Sequence, residues 1–103
     1  MKYSHDYSKL QKEEYTTIRR YSKGKIGDLV LETYPSGQHY ARIIKIVKKP
    51  LAKLSTNFLI SDTDLNNRLE IYSLFQSFYT KPINFTNEKF YIYYLKRQKD
   101  VSD

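Results

Sequence analysis

The sequence contains no cysteine and only two histidines, His5 and His39, among its 103 residues. Without cysteine there can be no disulfide framework, no thiolate nucleophile and no cysteine-ligated zinc or iron site. The two histidines are far apart in the sequence and lack the spacing that would turn both toward one ligand. The sequence therefore predicts neither a metal site nor a cofactor.

Long apolar runs are also missing. No stretch approaches the roughly 20 residues that cross a bilayer, and residues 1–10 lack the apolar segment of a secretory signal. We therefore expect a soluble, cytoplasmic protein without membrane contact. The composition, 40% hydrophobic and 28% charged, predicts one folded domain over residues 1–103. Its core should span about residues 10–96, followed by a polar tail over residues 97–103, and the protein is expected to be a monomer.

Positive charge is what the sequence has in excess, and it is concentrated in one third of the chain. The formal net charge is +7, and residues 19–53 hold nine Lys and Arg against two Asp and Glu. A local positive potential attracts polyanions such as RNA and accelerates their encounter. A solvated, lysine-rich face that aids solubility would have the same composition, so charge alone leaves both interpretations open.

The order of predicted elements is that of an α+β domain. A short amphipathic helix is predicted over residues 4–13, and a strand over residues 15–20. Residues 28–34 and 39–49 predict a β-hairpin around turn-forming residues. Residues 51–54 follow as a single helical turn.

A longer helix is predicted over residues 64–79, because its apolar positions recur with helical spacing. Ser61 and Asp64 fit a capping box at its start, and Asp62 also suits the positive end of the helix dipole. The alternating residues 89–96 predict a final strand. On the return limb of the hairpin, Ile44 and Ile46 are expected on one face and Ile43 on the other.

The segment Lys12-Glu13-Glu14-Tyr15-Thr16-Thr17-Ile18-Arg19, followed by Gly27-Asp28-Leu29-Val30, resembles the activating-signal-cointegrator homology (ASCH) domain of the PUA-like superfamily. The likeness runs from about residue 10 to residue 96. It implies a small PUA-like β-barrel flanked by two or three helices.

The motif of this family is a glycine, a lysine two residues later, then a Glu or Thr, and then an arginine. Thr17 and Arg19 match its last two positions. Lys12 stands at the glycine position and Glu14 at the lysine position, so the first half of the motif is absent.

The resemblance implies RNA recognition, or nucleotide recognition, in a cleft between the barrel and a helix. From the residues themselves, Thr17 and Arg19 share one strand face, because side chains alternate along a strand. Arginine offers a planar fork of donors to phosphate or a base edge. An exposed tyrosine could stack on an unpaired base, although most of the eleven tyrosines should pack in the core. The predicted nucleic-acid-binding residues are Thr17, Arg19, Arg20, Lys23, Lys25, Arg42, Lys45 and Lys48.

Two other classes of function remain open. A subgroup of the family hydrolyses acetylcytidine with a Lys, a Thr and a Glu, which implies Lys12, Thr17 and Asp64 as candidate catalytic residues here, with Asp62 as another possible acid. Helix capping is the alternative role for both aspartates. The third class is a protein-interaction module whose basic face docks an acidic partner.

Overall fold

The predicted α+β class is confirmed by the computed structural model, which describes residues 1–98. The elements in chain order are β1 (Glu14–Arg19), β2 (Leu29–Tyr34), β3 (Gly37–Pro50), α1 (Thr56–Thr63), α2 (Arg68–Ser77) and β4 (Lys89–Arg97). Single 3-10 turns, Ser8–Gln11 and Leu51–Lys53, precede β1 and α1. The polar tail was predicted over residues 97–103. Arg97 is instead the last residue of β4, and residues 99–103 lie outside the described residues.

The four strands form one antiparallel sheet in the order β1-β4-β3-β2. β2 and β3 form the predicted hairpin, in which Tyr34 pairs with Gly37 across the turn. After both helices the chain returns as β4 and inserts between β1 and β3. This order places β1 and β2 at opposite edges of the sheet and β4 in its interior.

A β-bulge interrupts β3 at Ile44. Ile43 pairs with Leu95 of β4, whereas Lys45 pairs with the preceding residue Tyr94, so Ile44 has no partner on that strand. One extra residue exchanges the two faces of a strand beyond it. The faces predicted for the return limb are therefore wrong beyond the bulge.

The bulge explains why the partly buried Ile46 packs against the same cluster as the buried Ile43, although three positions separate them. Two of the predicted binding residues, Lys45 and Lys48, both lie beyond the bulge and are three positions apart, so strand alternation turns them away from each other. Lys45 lies over the ring of Tyr94 and Lys48 over the ring of Tyr91, on opposite faces of the sheet.

The helix predicted over residues 64–79 is confirmed over Arg68–Ser77, where α2 begins four residues later than predicted. A separate helix that was not predicted, α1, precedes it. Ser55 caps α1 by accepting a hydrogen bond from the Phe58 amide at 3.1 Å. Asn67 caps α2 by accepting hydrogen bonds from its first amides. Between them Asp64 adopts a left-handed conformation with φ of 63°, which ends α1.

The predicted capping box is therefore not formed. Ser61 lies within α1, and the carboxylate of Asp64 instead accepts hydrogen bonds from the Ser8 amide at 2.7 Å and the Ser8 hydroxyl at 2.5 Å. Ser8 begins the 3-10 turn that replaces most of the helix predicted over residues 4–13. Asp64 thus ties this turn to the end of α1.

A hydrophobic cluster lies on each face of the sheet, which explains why β4 is apolar on both faces. The helix-side cluster includes Ile18, Leu59, Ile71, Phe75, Phe90 and Ile92. The second cluster lies on the face of the sheet opposite the helices and includes Tyr3, Leu10, Tyr15, Ile43, Tyr93 and Leu95. Alternate residues of β4 therefore enter different cores, as expected for an interior strand.

The carboxylate of Glu32 on β2 is fully buried and lies beside this second cluster. Its Oε1 accepts hydrogen bonds from the hydroxyls of Tyr3 at 2.7 Å and Tyr15 at 3.0 Å. Its Oε2 lies 2.9 Å from the amino group of Met1. Three donors therefore compensate for the loss of water around this charge.

The same network includes the imidazole of His39. Its Nε2 lies 2.6 Å from the Tyr15 hydroxyl oxygen, and its Nδ1 lies 3.0 Å from the hydroxyl oxygen of Tyr34. Each ring nitrogen of His39 therefore lies within hydrogen-bond distance of a buried tyrosine hydroxyl. Three strands thus contribute to one buried polar network.

The residues that begin the chain connect the two edges of the sheet. The Tyr3 amide donates to the Thr33 carbonyl of β2, and the Thr33 amide donates to the Met1 carbonyl, both at 2.8 Å. On the other side, Nη2 of Arg19 in β1 donates to the Lys2 carbonyl at 3.2 Å. No ladder joins β1 to β2 in residues 1–98, so the sheet is curled but open.

Replacing Glu32 with alanine should destabilise the fold by about 3 kcal/mol, since three donors would lose their buried acceptor. Urea unfolding followed by circular dichroism measures this loss. Glu13→Ala, at an exposed carboxylate, is the matched control and should change stability by less than about 0.5 kcal/mol. Equal stability of the two variants would contradict the role assigned to the network.

Candidate functional site

A cleft of about 460 Å³ lies between β1, the N-terminal segment and the helices. Its charged and hydroxyl lining consists of Lys2, Ser4, Lys9, Thr17, Arg19, Lys23, Asp62 and Thr63. Its aromatic lining consists of Tyr3, Tyr7, Tyr21, Phe75, Phe78 and Tyr79. The volume is in the range of small-ligand sites, which are mostly apolar with a few converging polar groups.

β1 brings Thr17 and Arg19 to this cleft together, as predicted from their shared strand face. Thr17 is buried, with only 2% of its surface exposed, yet its side chain forms part of the wall. Arg19 is half-buried, and its guanidinium lies over the ring of Tyr3, 4.8 Å from the ring centroid.

Arg19 has an unused donor. Nη2 is directed to the Lys2 carbonyl, but Nε is buried and has no hydrogen-bond partner among the described residues. A buried donor without an acceptor is unfavourable, and native structures contain few of them.

Lys9 and Asp62 form a buried ion pair in the cleft wall. The Lys9 Nζ lies 3.0 Å from Asp62 Oδ1, which also accepts a hydrogen bond from the Thr16 hydroxyl at 2.9 Å. Both side chains are about 95% removed from solvent. Burial lowers the pKa of Lys9, and the charge of Asp62 acts in the opposite direction.

Tyr3 lies beneath these groups. The Arg19 guanidinium lies over its ring, and Lys9 Nζ lies 5.5 Å from the ring centroid. The Tyr3 hydroxyl donates a hydrogen bond to Glu32. Burial raises the pKa of Tyr3 far above that of an exposed tyrosine, and the charge of Glu32 raises it further. Arg19 and a hydrogen bond with Thr17 lower it to a smaller extent. One buried phenol therefore contacts both predicted residues and the buried lysine.

The other predicted binding residues are divided among several places. Lys23 lines the cleft. Arg20 does not, because its guanidinium is bound to Glu88 at 2.5 and 2.9 Å and to two backbone carbonyls. Lys25 is exposed in the loop before β2, and Arg42 donates to the Gly27 carbonyl of the same loop at 2.7 Å.

Lys45 and Lys48 lie on β3, outside the cleft lining and on opposite faces of the sheet. The predicted cations thus do not form one continuous track. The structure brings Thr17, Arg19 and Lys23 together and separates them from the lysines of β3.

The residues predicted for catalysis are likewise only partly brought together. Thr17 lines the cleft, but Lys12 is exposed and Asp64 binds Ser8, and neither lines the cleft. Lys9 and Asp62 are the lysine and the carboxylate that do. Helix capping, the alternative role for Asp62, is not what the structure shows, since Asp62 pairs with Lys9 near the end of α1.

Sequence reasoning missed Tyr3 and Lys9, and it named Asp62 only as a possible acid beside Asp64. Asp62 lies three positions after Leu59 and therefore on the same buried face of α1. An acidic residue on the apolar face of a helix is a signal for a site, but it becomes visible only when α1 itself is predicted. Tyr3 and Lys9 lie in the segment before β1, where the pattern carries no comparable signal.

Residues 1–98 contain no group of three or more His, Asp or Glu side chains suited to holding a metal ion. Over the same range, every helix is too short or too polar to cross a bilayer.

The fold and the cleft define a small α+β protein with an open antiparallel sheet and one cation-lined site. The chain is 32% identical over 102 aligned positions to the uncharacterized protein MJ0364 of Methanocaldococcus jannaschii. The match covers 88% of this chain and 90% of the archaeal protein, so this chain belongs to the same family. No family model matches the chain. No solved structure matches it either.

Replacing Asp62 with asparagine should destabilise the protein by about 3 kcal/mol, because Lys9 would be left as a buried charge without an ionic partner. Adding Lys9→Met should restore much of that loss, since the double variant no longer buries a charge. Urea unfolding of the single and double variants gives the comparison. A double variant no more stable than Asp62→Asn alone would contradict the pairing.

Stability should fall as the pH rises above about 10, the pKa of an exposed tyrosine. The pKa values of Tyr3, Tyr7 and Tyr15 are raised, mainly by burial, so the unfolded chain loses these protons first. Their stabilising effect is therefore complete below that pH and is lost above it.

Urea midpoints across this range should fall less steeply in Tyr15→Phe than in the wild type, because the substitution removes one of the three groups. Tyr40→Phe, at an exposed tyrosine, is the control and should follow the wild type. A Tyr15→Phe profile parallel to that of the wild type would contradict the prediction.

Proposed function

We propose that this chain is an ASCH-like domain of the PUA-like superfamily and that it binds RNA, or a nucleotide, in the cleft beside Thr17 and Arg19. It acts as a cytoplasmic monomer. The main support is that Thr17 and Arg19 lie together in a cleft lined by further cations and by aromatic rings. Such a site supplies what a nucleotide needs, namely donors for phosphate or a base edge and rings for stacking.

The charge of the lining favours an anion. Asp62 neutralises Lys9, whereas Lys2, Arg19 and Lys23 have no salt bridge within residues 1–98. Three uncompensated cations around one concave site make the local potential positive, and low-dielectric walls intensify it. A cationic ligand would be repelled by this arrangement.

The family resemblance supports the same proposal. Thr17 and Arg19 occupy the two motif positions that the sequence retains, and both line the cleft. The curled sheet, whose edges are connected by residues 1–3 and Arg19, is the counterpart of the barrel that the resemblance implies. The cleft lies between this sheet and α2, where the resemblance implies recognition.

Titration with a short, mixed-sequence, single-stranded RNA at two salt concentrations tests the proposal. Arg19→Ala should weaken binding about tenfold, and the slope of log affinity against log salt should decrease by roughly one if Arg19 contacts a phosphate. Lys53→Ala removes an equal charge at an exposed position outside the cleft and should change affinity less.

Absence of binding by the wild type would contradict RNA recognition. Equal effects of Arg19→Ala and Lys53→Ala would contradict the site. An acidic protein partner would show a shallower salt dependence, because fewer counterions are released than from a nucleic acid backbone.

Hydrolysis of an acetylated cytidine is a second candidate, favoured by one specific observation. Lys9, Thr17 and Asp62 all line the cleft, so a lysine, a threonine and a carboxylate are present in one concave site. Burial lowers the pKa of Lys9, which increases the fraction of neutral amine able to take a proton from a hydroxyl nucleophile. In this hypothesis Thr17 attacks the amide carbonyl, cytidine leaves, and water then releases acetate.

Incubation with N4-acetylcytidine, followed by chromatography, should show cytidine and acetate in equal amounts if the second candidate is correct. Thr17→Val retains the shape of the side chain and should abolish release. No cytidine under conditions in which a known amidohydrolase is active, or unchanged release by Thr17→Val, would eliminate this mechanism.

A further inference from the structure

Two of the aromatic rings that line the cleft are also exposed to solvent. Tyr21 is 55% exposed and Phe78 is 43% exposed, whereas Tyr3 and Phe75 of the same cleft are buried. The exposed pair therefore marks the mouth of the cleft and the buried pair its interior. Large rings left in water beside a concave, cationic site are a typical feature of surfaces that stack on a ligand.

Both exposed rings are held in place by other aromatic rings. Tyr21 packs against Tyr79 with the ring planes 83° apart and the centroids 6.1 Å apart. Phe78 meets Phe75 at 86° and 6.3 Å. In these perpendicular contacts, the neighbour does not cover a whole ring face as a stacked partner would.

Tyr79, which supports Tyr21, is itself fixed from the other side. Its hydroxyl accepts a hydrogen bond from the Arg20 amide at 3.1 Å, and the Arg20 guanidinium lies 5.4 Å from its ring centroid. Arg20 is in turn held by Glu88. Tyr21 therefore rests on an ordered platform, so stacking on it costs little conformational entropy.

Tyr21 also lies two residues before Lys23, a cation of the cleft lining. The segment that contains both is anchored where the Lys23 amide donates to the Tyr93 hydroxyl at 2.6 Å. A ring and an ammonium group are thus presented by one short, fixed segment at the mouth. This pairing suits a base and the phosphate next to it.

We propose that the recognition unit is two consecutive nucleotides of a single strand, with one nucleotide inside the cleft and the adjoining base stacked on Tyr21 at its mouth. Lys23 contacts the phosphate that joins them. This inference depends on the proposed nucleotide-binding function and makes it more specific. A cleft of about 460 Å³ holds one small ligand, so the second base has to lie outside.

Affinities for each of the four 5′-mononucleotides and for the corresponding dinucleotides, measured by calorimetry, test this inference. Stacking of one base on an aromatic ring strengthens binding by roughly five- to a hundredfold, so the dinucleotides should bind tighter by a factor in that range. Tyr21→Ala should remove this gain, so that the variant binds each dinucleotide no more tightly than it binds the corresponding mononucleotide.

Tyr40→Ala is the matched control, because Tyr40 is 50% exposed but lies outside the cleft lining. It should change neither affinity. Tyr21→Phe should retain the dinucleotide gain, since it keeps the ring and loses only the hydroxyl. This variant also keeps the test decisive if Tyr21→Ala does not fold.

The outcomes separate the two proposals. If mononucleotides bind and dinucleotides bind no tighter, or if the Tyr21 substitutions weaken both ligands equally, the two-nucleotide unit is wrong and the cleft remains a nucleotide site. If no mononucleotide or dinucleotide binds, the proposed function fails and this inference fails with it. If only Phe78→Ala removes the gain, the assignment of the stacking ring to Tyr21 is overturned.

Discussion

The buried carboxylate of Glu32 is the constraint on which the rest of the structure depends. A charge that has lost all contact with water is tolerated only where donors surround it, and its donors come from parts of the chain remote from β2. Tyr15 comes from β1 at the far edge of the sheet, and Tyr3 from the segment that precedes it. Bringing both hydroxyls to one carboxylate requires the sheet to curl until its edges approach each other. The curvature of the sheet and the position of the first residues therefore have a common cause.

The cleft is a consequence of the same network. The Tyr3 hydroxyl is directed to Glu32, so its ring is fixed as a surface on which Arg19 and Lys9 lie. Two cations side by side repel each other, and their repulsion is moderated in different ways. Lys9 is neutralised by Asp62, whereas Arg19 lies on an aromatic face and keeps a donor unpaired. The arrangement leaves one guanidinium fixed in position and available to a ligand.

The sequence was sufficient for the parts of the fold that follow from local pattern, and insufficient where a distant contact determined the outcome. The hairpin, β1 and β4 were predictable because their alternation and turn residues are local signals. The bulge at Ile44 was not, since an extra residue is visible only in the register with Leu95 and Tyr94. α1 was missed because the short run Phe58-Leu59-Ile60 has no clear helical period. In the site, Thr17 and Arg19 were predictable from their shared strand face, whereas the choice of Lys9 and Asp62 over Lys12 and Asp64 depends on how two distant turns pack.

The buried charges of this small domain do not all have the same structural explanation. Glu32 and its donors connect both edges of the sheet, and this structural role accounts for their burial. Arg20 and Glu88 join the end of β1 to the segment before β4, at the partly exposed surface. Lys9 and Asp62 join the first 3-10 turn to α1, with Thr16 of β1 as a further donor, and they do not bring the edges of the sheet together. An apolar pair of similar size is often as stable in such a position. Lys9 and Asp62 lie in the wall of the cleft, where a desolvated amine and carboxylate can act on a ligand. Their burial in the wall of the cleft therefore agrees with the proposed function, because ionisable groups that serve binding or chemistry are often desolvated in this way.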